Sequence, residues 1–377
     1  MIDSPLLYLL SVALIASVFG IAERIEKTRF LFDYLPAVVL IYATAMVAAQ
    51  LGVWEKTDAL TAVYKTAKNN LLPAMLFLML LSVDLRRFAQ LGPRLIAAYT
   101  AATLSIMIAF LAVFLLFGFG KEEAGLFAAL AGSWMGGTAN MLAVGSAMHV
   151  GETMMGYALV VDAVCYTFWV MLLLAVVPLA NRFARWSGAT QTTSTHAELG
   201  CACTIGPRRY WLLLGSALIV ALLSQWLGAR LPWLGQATWS VLIATFLGVA
   251  GSYTPLARLN GAQELAGTML LLLVALIGSR AQFAHFGEIP RYVAAGFAIL
   301  ALHGSLLLLA AKRFRLDLFA IGVASLANIG GVASAPILAS AYHRTLVGVA
   351  VLMAVTGYLV GTFGGLAVGY ALQWLAA

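Results

Sequence analysis

Stretches of apolar residues long enough to cross a bilayer recur from one end of the chain to the other. A spanning helix needs about 20 residues at about 1.5 Å of rise each. Twelve candidates can be marked, at 6–22, 32–51, 71–83, 95–119, 124–148, 155–179, 211–227, 237–250, 264–277, 293–311, 318–341 and 346–375. Of 377 residues, 63% are hydrophobic and only 10% are charged, against about 25% charged in a soluble domain. Twenty-two basic and fifteen acidic residues cannot supply the polar surface that soluble cores of this size need. The composition argues against a cytoplasmic enzyme, a disordered chain and a nucleic-acid module. It predicts an all-α polytopic membrane protein. The net charge of +7 lies in short linkers between apolar runs, where anionic headgroups explain it better than nucleic acid does.

The runs fall into two sets. Residues 1–181 read as a first membrane repeat, 182–209 as a polar linker containing SGATQTTSTHAELG, and 210–377 as a second repeat. Each set starts with two ordinary apolar segments and a short one. A full-length segment, a glycine-broken one and a final span follow. GSWMGGTANM in the first set answers to LANIGGVASAP in the second, about 190 residues later. Matched glycine breaks at matched places predict two structural repeats. Six crossings per set would make the repeats parallel, whereas inverted repeats need an odd number or an odd offset. The count turns on the short segments 71–83 and 264–277. Lysine and arginine on alternate connections are near balance, roughly twelve against about ten, so they do not fix the orientation.

The two breaks are the places where chemistry is expected. In 132–140, GSWMGGTAN, glycines at this density disfavour a continuous helix. Unsatisfied backbone groups are costly in lipid, so a break is tolerated only inside protein or against a polar cavity. Helix fragments ending there offer amides to anions and carbonyls to cations. Ser133, Gly136, Gly137, Thr138 and Asn140 are therefore candidate solute-binding residues. In 328–336, NIGGVASAP, Asn328, Gly330, Gly331 and Ser334 repeat the pattern, and Pro336 frees a further carbonyl. The alternative for either stretch is small-residue packing between helices. In a folded duplication the two breaks should cross near each other and make one site. Asp162, set in GYALVVDAVCYTFWVM, is an acid in an apolar run and should face the bundle interior. It is the expected ion-coupling residue, assisted by Asn140 and Asn328. The second set offers Thr356 and Tyr358 at the corresponding helix, with no acid.

Other polar residues read as structural. Asp84 is expected to pair with Arg86 or Arg87, and Glu264 to stabilise a helix N-terminus. Arg280 closes a short apolar segment, and His303 reads as a packed or bridging histidine. Cys201 and Cys203 have no histidine at a convincing spacing, so no metal beyond a possible Na⁺ is expected. No GxxxxGK[ST] loop, HExxH or serine elbow occurs, so no catalytic residue and no cofactor are expected.

PAMLFLMLLSVDLRR, GSWMGGTANM, VDAVCYTFW and LANIGGVASAP together resemble the uncharacterised membrane family known as domain of unknown function 819, over nearly the whole chain. That resemblance implies a distant kinship with bile-acid and glutamate symporters and cation–proton antiporters. It implies inverted repeats, a core group and a panel group, and crossed discontinuous helices holding substrate and ion. The missing second acid argues against a two-acid antiport mechanism. The expected function is secondary active transport, by Na⁺- or H⁺-coupled symport of a small polar or anionic organic solute. A monovalent cation–proton antiporter and a non-transport integral membrane protein are the alternatives. The expected setting is a bacterial cytoplasmic membrane. The expected partners are the solute, a monovalent cation or proton, membrane lipids and a second copy in a homodimer.

Overall fold

The computed structural model of the protein describes residues 1–25, 32, 37–81, 91–189, 206–232, 235–259, 261–281, 286–343 and 346–376. Among these residues there is no β-strand, only an isolated bridge between Ile2 and Trp54. The helices are α1 (Pro5–Ala22), α2 (Ala37–Gln50), α3 (Asp58–Leu80), α4 (Pro93–Leu116), α5 (Lys121–Gly136), α6 (Thr138–Ala147) and α7 (Glu152–Ala175). After them come α8 (Ala180–Ser187), α9 (Pro207–Gly228), α10 (Gln236–Ser252), α11 (Ala262–Gly278), α12 (Ile289–Phe314), α13 (Leu318–Ile329), α14 (Gly331–Tyr342) and α15 (Val347–Leu375). By length and composition, α1, α4, the α7–α8 run, α9, α12 and α15 can each cross a membrane. The expected spans 124–148 and 318–341 are each two helices, broken inside the two glycine motifs.

The chain divides into two compact units, and each draws on both halves of the sequence. The first comprises Met1–Ser82, His149–Ala163 and Cys203–Ile289; the second comprises Val83–Met148, Val164–Ala202 and Pro290–Ala377. In the first unit α3 is central, packed against α9, α10 and α11. The polar connector that precedes 71–83 in the sequence is the first half of this same helix, started by Thr57, whose hydroxyl accepts from the Leu60 amide at 3.2 Å. Its apolar half, from Leu72 to Leu78, is buried among neighbours. Helix α1 is the opposite case. Only 17% of its apolar window is buried, and Leu6, Leu10 and Leu14 project outward. That is the surface a bilayer covers.

Polar groups of the first unit pair with one another. Tyr64 donates to Glu152 Oε1 at 2.6 Å, and Lys68 Nζ lies 3.7 Å from the same oxygen. Tyr42 donates to the Glu152 carbonyl at 2.9 Å. Arg280 donates to the Thr61 hydroxyl and lies over the Tyr64 ring. Glu264 sits in the first turn of α11. Asp84, Arg86, Arg87, Cys201 and Cys203 lie outside the described residues.

In the second unit α15 is the spine, with 67% of its apolar window buried. It packs most extensively on α5 and also meets α4, α6, α13 and α14. The reason is a row of glycines at four-residue spacing, Gly357, Gly361, Gly365 and Gly369. A Cβ on Gly361 would stand 2.7 Å from Gly136 Cα, and one on Gly365 would stand 2.8 Å from Gly132 Cα. The two backbones touch directly, as small residues allow in membranes.

Candidate functional site

A single residue interrupts the first broken element. Gly137 has φ +86° and ψ 173°, a conformation that is essentially glycine-only. Its amide still donates to the Ser133 carbonyl at 2.6 Å, closing α5. Its own carbonyl accepts from the Asn140 amide at 2.9 Å, opening α6. The break would leave the Gly136 carbonyl without a helical donor, and the Asn140 side chain supplies one from Nδ2 at 2.7 Å. Asn140 Oδ1 in turn accepts from the Thr362 hydroxyl on α15 at 2.5 Å.

The second break repeats this chemistry with a shifted asparagine. Gly331 carries the positive φ, +58°, so in both Gly-Gly pairs the second glycine does the turning. Asn328 lies before this break, in the last turn of α13, whereas Asn140 lies after the first. Asn328 Nδ2 donates to the Ala324 carbonyl at 2.9 Å. The Thr103 hydroxyl on α4 lies 3.0 Å from Asn328 Oδ1 and 3.1 Å from the Tyr99 carbonyl, sharing its one hydrogen between them. Each asparagine thus returns its amide to the carbonyl four residues back and offers its oxygen to a threonine of another helix.

Ser334 holds the place after the second break that Asn140 holds after the first, four residues beyond the leading glycine of its pair. Other helical serines, such as Ser105, Ser224 and Ser340, donate to carbonyls of their own helices. Ser334 Oγ is buried over Gly330 and makes no hydrogen bond with the described residues. It stands in the opening turn of α14, where first-turn amides have no partner within the helix.

The two breaks share a neighbour. A Cβ on Gly357 would stand 3.2 Å from the Met135 carbonyl oxygen and 3.4 Å from the Ala327 carbonyl oxygen. One turn of α15 therefore lies against both interrupted elements. Burial along them has a pattern too. Residues 126–145 are all buried except Gly137 and Thr138, and 316–329 are all buried, with exposure returning at Gly330 and Val332. Ser133, Gly136, Asn140, Asn328, Gly331 and Ser334 are buried. Gly136 is in addition the packing glycine that meets α15, so at this position the small-residue reading and the break coexist. Asp162 belongs to the first unit, half-buried on α7, while both breaks belong to the second.

Beside the second break runs a closed polar chain through four helices. Trp169 donates from its indole to Ser325 Oγ at 2.8 Å, and Ser325 lies 2.8 Å from His303 Nε2. His303 Nδ1 lies 2.7 Å from Ser105 Oγ, which donates to the Ala102 carbonyl at 2.8 Å. With the Ser105 hydrogen on the Ala102 carbonyl and a neutral imidazole, the remaining hydrogens follow. Ser105 must accept from Nδ1–H, and Ser325 must donate to Nε2. The bridging histidine expected from the sequence is this residue. Its partners Ser105, Ser325 and Trp169, like Thr103 and Thr362, carry no motif that marks them.

A helical chain with several apolar helices of bilayer length, two interrupted helices and buried polar side chains paired with one another is a polytopic integral membrane protein. It belongs to the family described as Protein of unknown function (DUF819), whose model matches residues 9–375. Comparison with curated proteins found no match.

Proposed function

We propose that the protein is a secondary active transporter, coupling Na⁺ or H⁺ to the movement of a small polar or anionic organic solute. The observation that carries this reading is the pair of interrupted elements, buried over 126–136 and 316–329 on the approach to their breaks, part-exposed at Gly137, Thr138, Gly330 and Val332, and both resting on Gly357. An interruption in a membrane helix is tolerated inside protein or where it lines a cavity, and the part-exposure at Gly137, Thr138, Gly330 and Val332 supports the second. In this reading the solute's negative group meets the opening turns of α6 and α14, where helix dipoles favour an anion. Thr138 and Ser334 supply hydroxyls, and Ser133 lines the same stretch. Gly136, Gly137, Gly330 and Gly331 let the backbone come close. Asn140 and Asn328 set the break geometry and share in ion coupling, and Asp162 carries the coupled charge. Motion of a core group against a panel group gives alternating access. The protein resides in a bacterial cytoplasmic membrane, acts as a homodimer, performs no catalysis and needs no cofactor besides the coupling ion.

The test is a thermal-shift screen of the detergent-solubilised protein. It crosses Na⁺, K⁺ and low pH with amino acids, carboxylates and peptides, since a ligand of the native state raises its stability by mass action. A solute shift that requires one cation names both partners. The hit is then followed as ion-stimulated uptake into proteoliposomes, where Asp162→Asn is expected to abolish coupling. Proton release driven by Na⁺ or K⁺ alone, without solute, would replace symport by antiport. Uptake and coupling untouched by Asp162→Asn would remove that residue from the mechanism.

A further inference from the structure

The second unit contains an apolar cleft of about 380 Å³, walled by the end of α7, α8, α12 and the start of α13. That size falls within the usual range of ligand pockets, roughly 300–1,000 Å³. Leu172, Leu173, Phe183, Leu300, Leu308 and Ile321 contribute to its lining. The two polar side chains in its walls are already engaged. Ser305 donates to the Ala301 carbonyl at 2.8 Å, and the Trp169 indole donates to Ser325. The walls keep no side-chain donor for an occupant, which suits a hydrocarbon chain. Leu172 and Leu308, 39% and 45% exposed, stand at an open mouth.

One end of the cleft is cationic. Helix α8 carries Arg182 and Arg185, and α12 ends in Lys312 and Arg313, with Arg315 just beyond; all five are exposed. The two segments are tied together. Lys312 donates to the Trp186 carbonyl and lies over the Trp186 ring, and Trp186 in turn packs against Phe183 of the cleft wall, with ring centroids 5.2 Å apart. The acid nearest in sequence, Asp317, is buried and turned to the Ala320 amide at 2.8 Å, capping α13. Basic pockets between membrane helices attract anionic headgroups. We infer that the cleft and its rim form a site for one anionic phospholipid, with an acyl chain in the cleft and the phosphate among Arg182, Arg185 and Arg313. This site is separate from the helix breaks and stands whether or not the transport reading does.

The test uses the full chain, purified and delipidated in detergent, and titrated with phosphatidylglycerol, phosphatidylcholine and inorganic phosphate. Thermal stability and native mass spectrometry are the readouts. Phosphatidylglycerol is expected to bind about 10-fold more tightly than phosphatidylcholine or better, and inorganic phosphate to cause no shift. Arg182→Gln combined with Arg185→Gln should bring phosphatidylglycerol down to the phosphatidylcholine level. Ala301→Phe, which fills the cleft, should weaken both lipids; Leu308→Trp at the mouth replaces it if the first variant does not fold. Lys312 is left intact because it holds α8. Equal binding of the two lipids overturns the inference, as does a preference that survives the arginine substitutions or binding unaffected by a filled cleft. Saturable binding of phosphate alone would assign the rim to a free anion instead.

Discussion

A buried asparagine must place two amide hydrogens and a carbonyl oxygen, and each group left unmade costs about 1–3 kcal/mol. Asn140 places one amide hydrogen on the Gly136 carbonyl and its oxygen against the Thr362 hydroxyl, and so makes the helix break affordable inside an apolar unit. Asn140→Leu is expected to lower stability by about 1–3 kcal/mol, read as a lower unfolding midpoint in detergent. Adding Thr362→Val should cost less than it does alone, because the threonine has already lost its acceptor. The turning glycines differ in a testable way. Gly137 sits where only glycine is at ease, whereas Gly331 has a left-handed φ that asparagine also adopts. Gly331→Asn should therefore retain more stability than Gly331→Ala, and Gly137→Asn should gain nothing over Gly137→Ala. The glycine pairs were legible in the sequence as breaks. Thr103 and Thr362 were not, because each is one hydroxyl in an apolar run and its asparagine lies 225 or 222 residues away.

Among the elements, glycines serve packing in α15, while single ones in α9 and α11 leave open space. Gly361→Ala would press a methyl onto the Gly136 backbone, which cannot step aside as a side chain would. Overpacking of this kind costs about 1–3 kcal/mol. Gly215→Ala and Gly267→Ala, in α9 and α11, meet none of the described residues within 4 Å. They should stabilise by up to about 1 kcal/mol through helix propensity alone. Thermal unfolding of the three variants side by side checks the contrast. The four-residue glycine spacing of α15 is visible in the sequence once a partner helix is known, but spacing alone does not say which face it meets. The continuity of α3 was hidden for a different reason. Hydropathy marks only the apolar half of α3; its polar half is exposed on one side and held on the other by buried Leu60 and Tyr64, where Glu152 engages Tyr64 and Lys68. Helix α8 lies at the start of a stretch that reads as polar linker, and the apolar members of NRFARW give it a face of its own.

At the level of the whole molecule, the order of elements was readable but their sorting was not. The sequence suggests two successive halves, whereas each compact unit takes segments from both. Linear patterns record what each helix needs to bury and leave open which distant helix buries it. Neither half can therefore complete a unit alone, since α3 needs α9 to α11 and α5 needs α15. Fragments 1–189 and 206–377 expressed singly should fail to accumulate in membranes, and co-expression should restore both, as followed by immunoblot. Gly357 brings this interdependence down to a single position. Because no side chain separates the Met135 and Ala327 carbonyls from the spine, one methyl group added there by Gly357→Ala would press on the first at 3.2 Å and come into ordinary contact with the second at 3.4 Å. Two segments nearly 200 residues apart in sequence thus border the same missing atom.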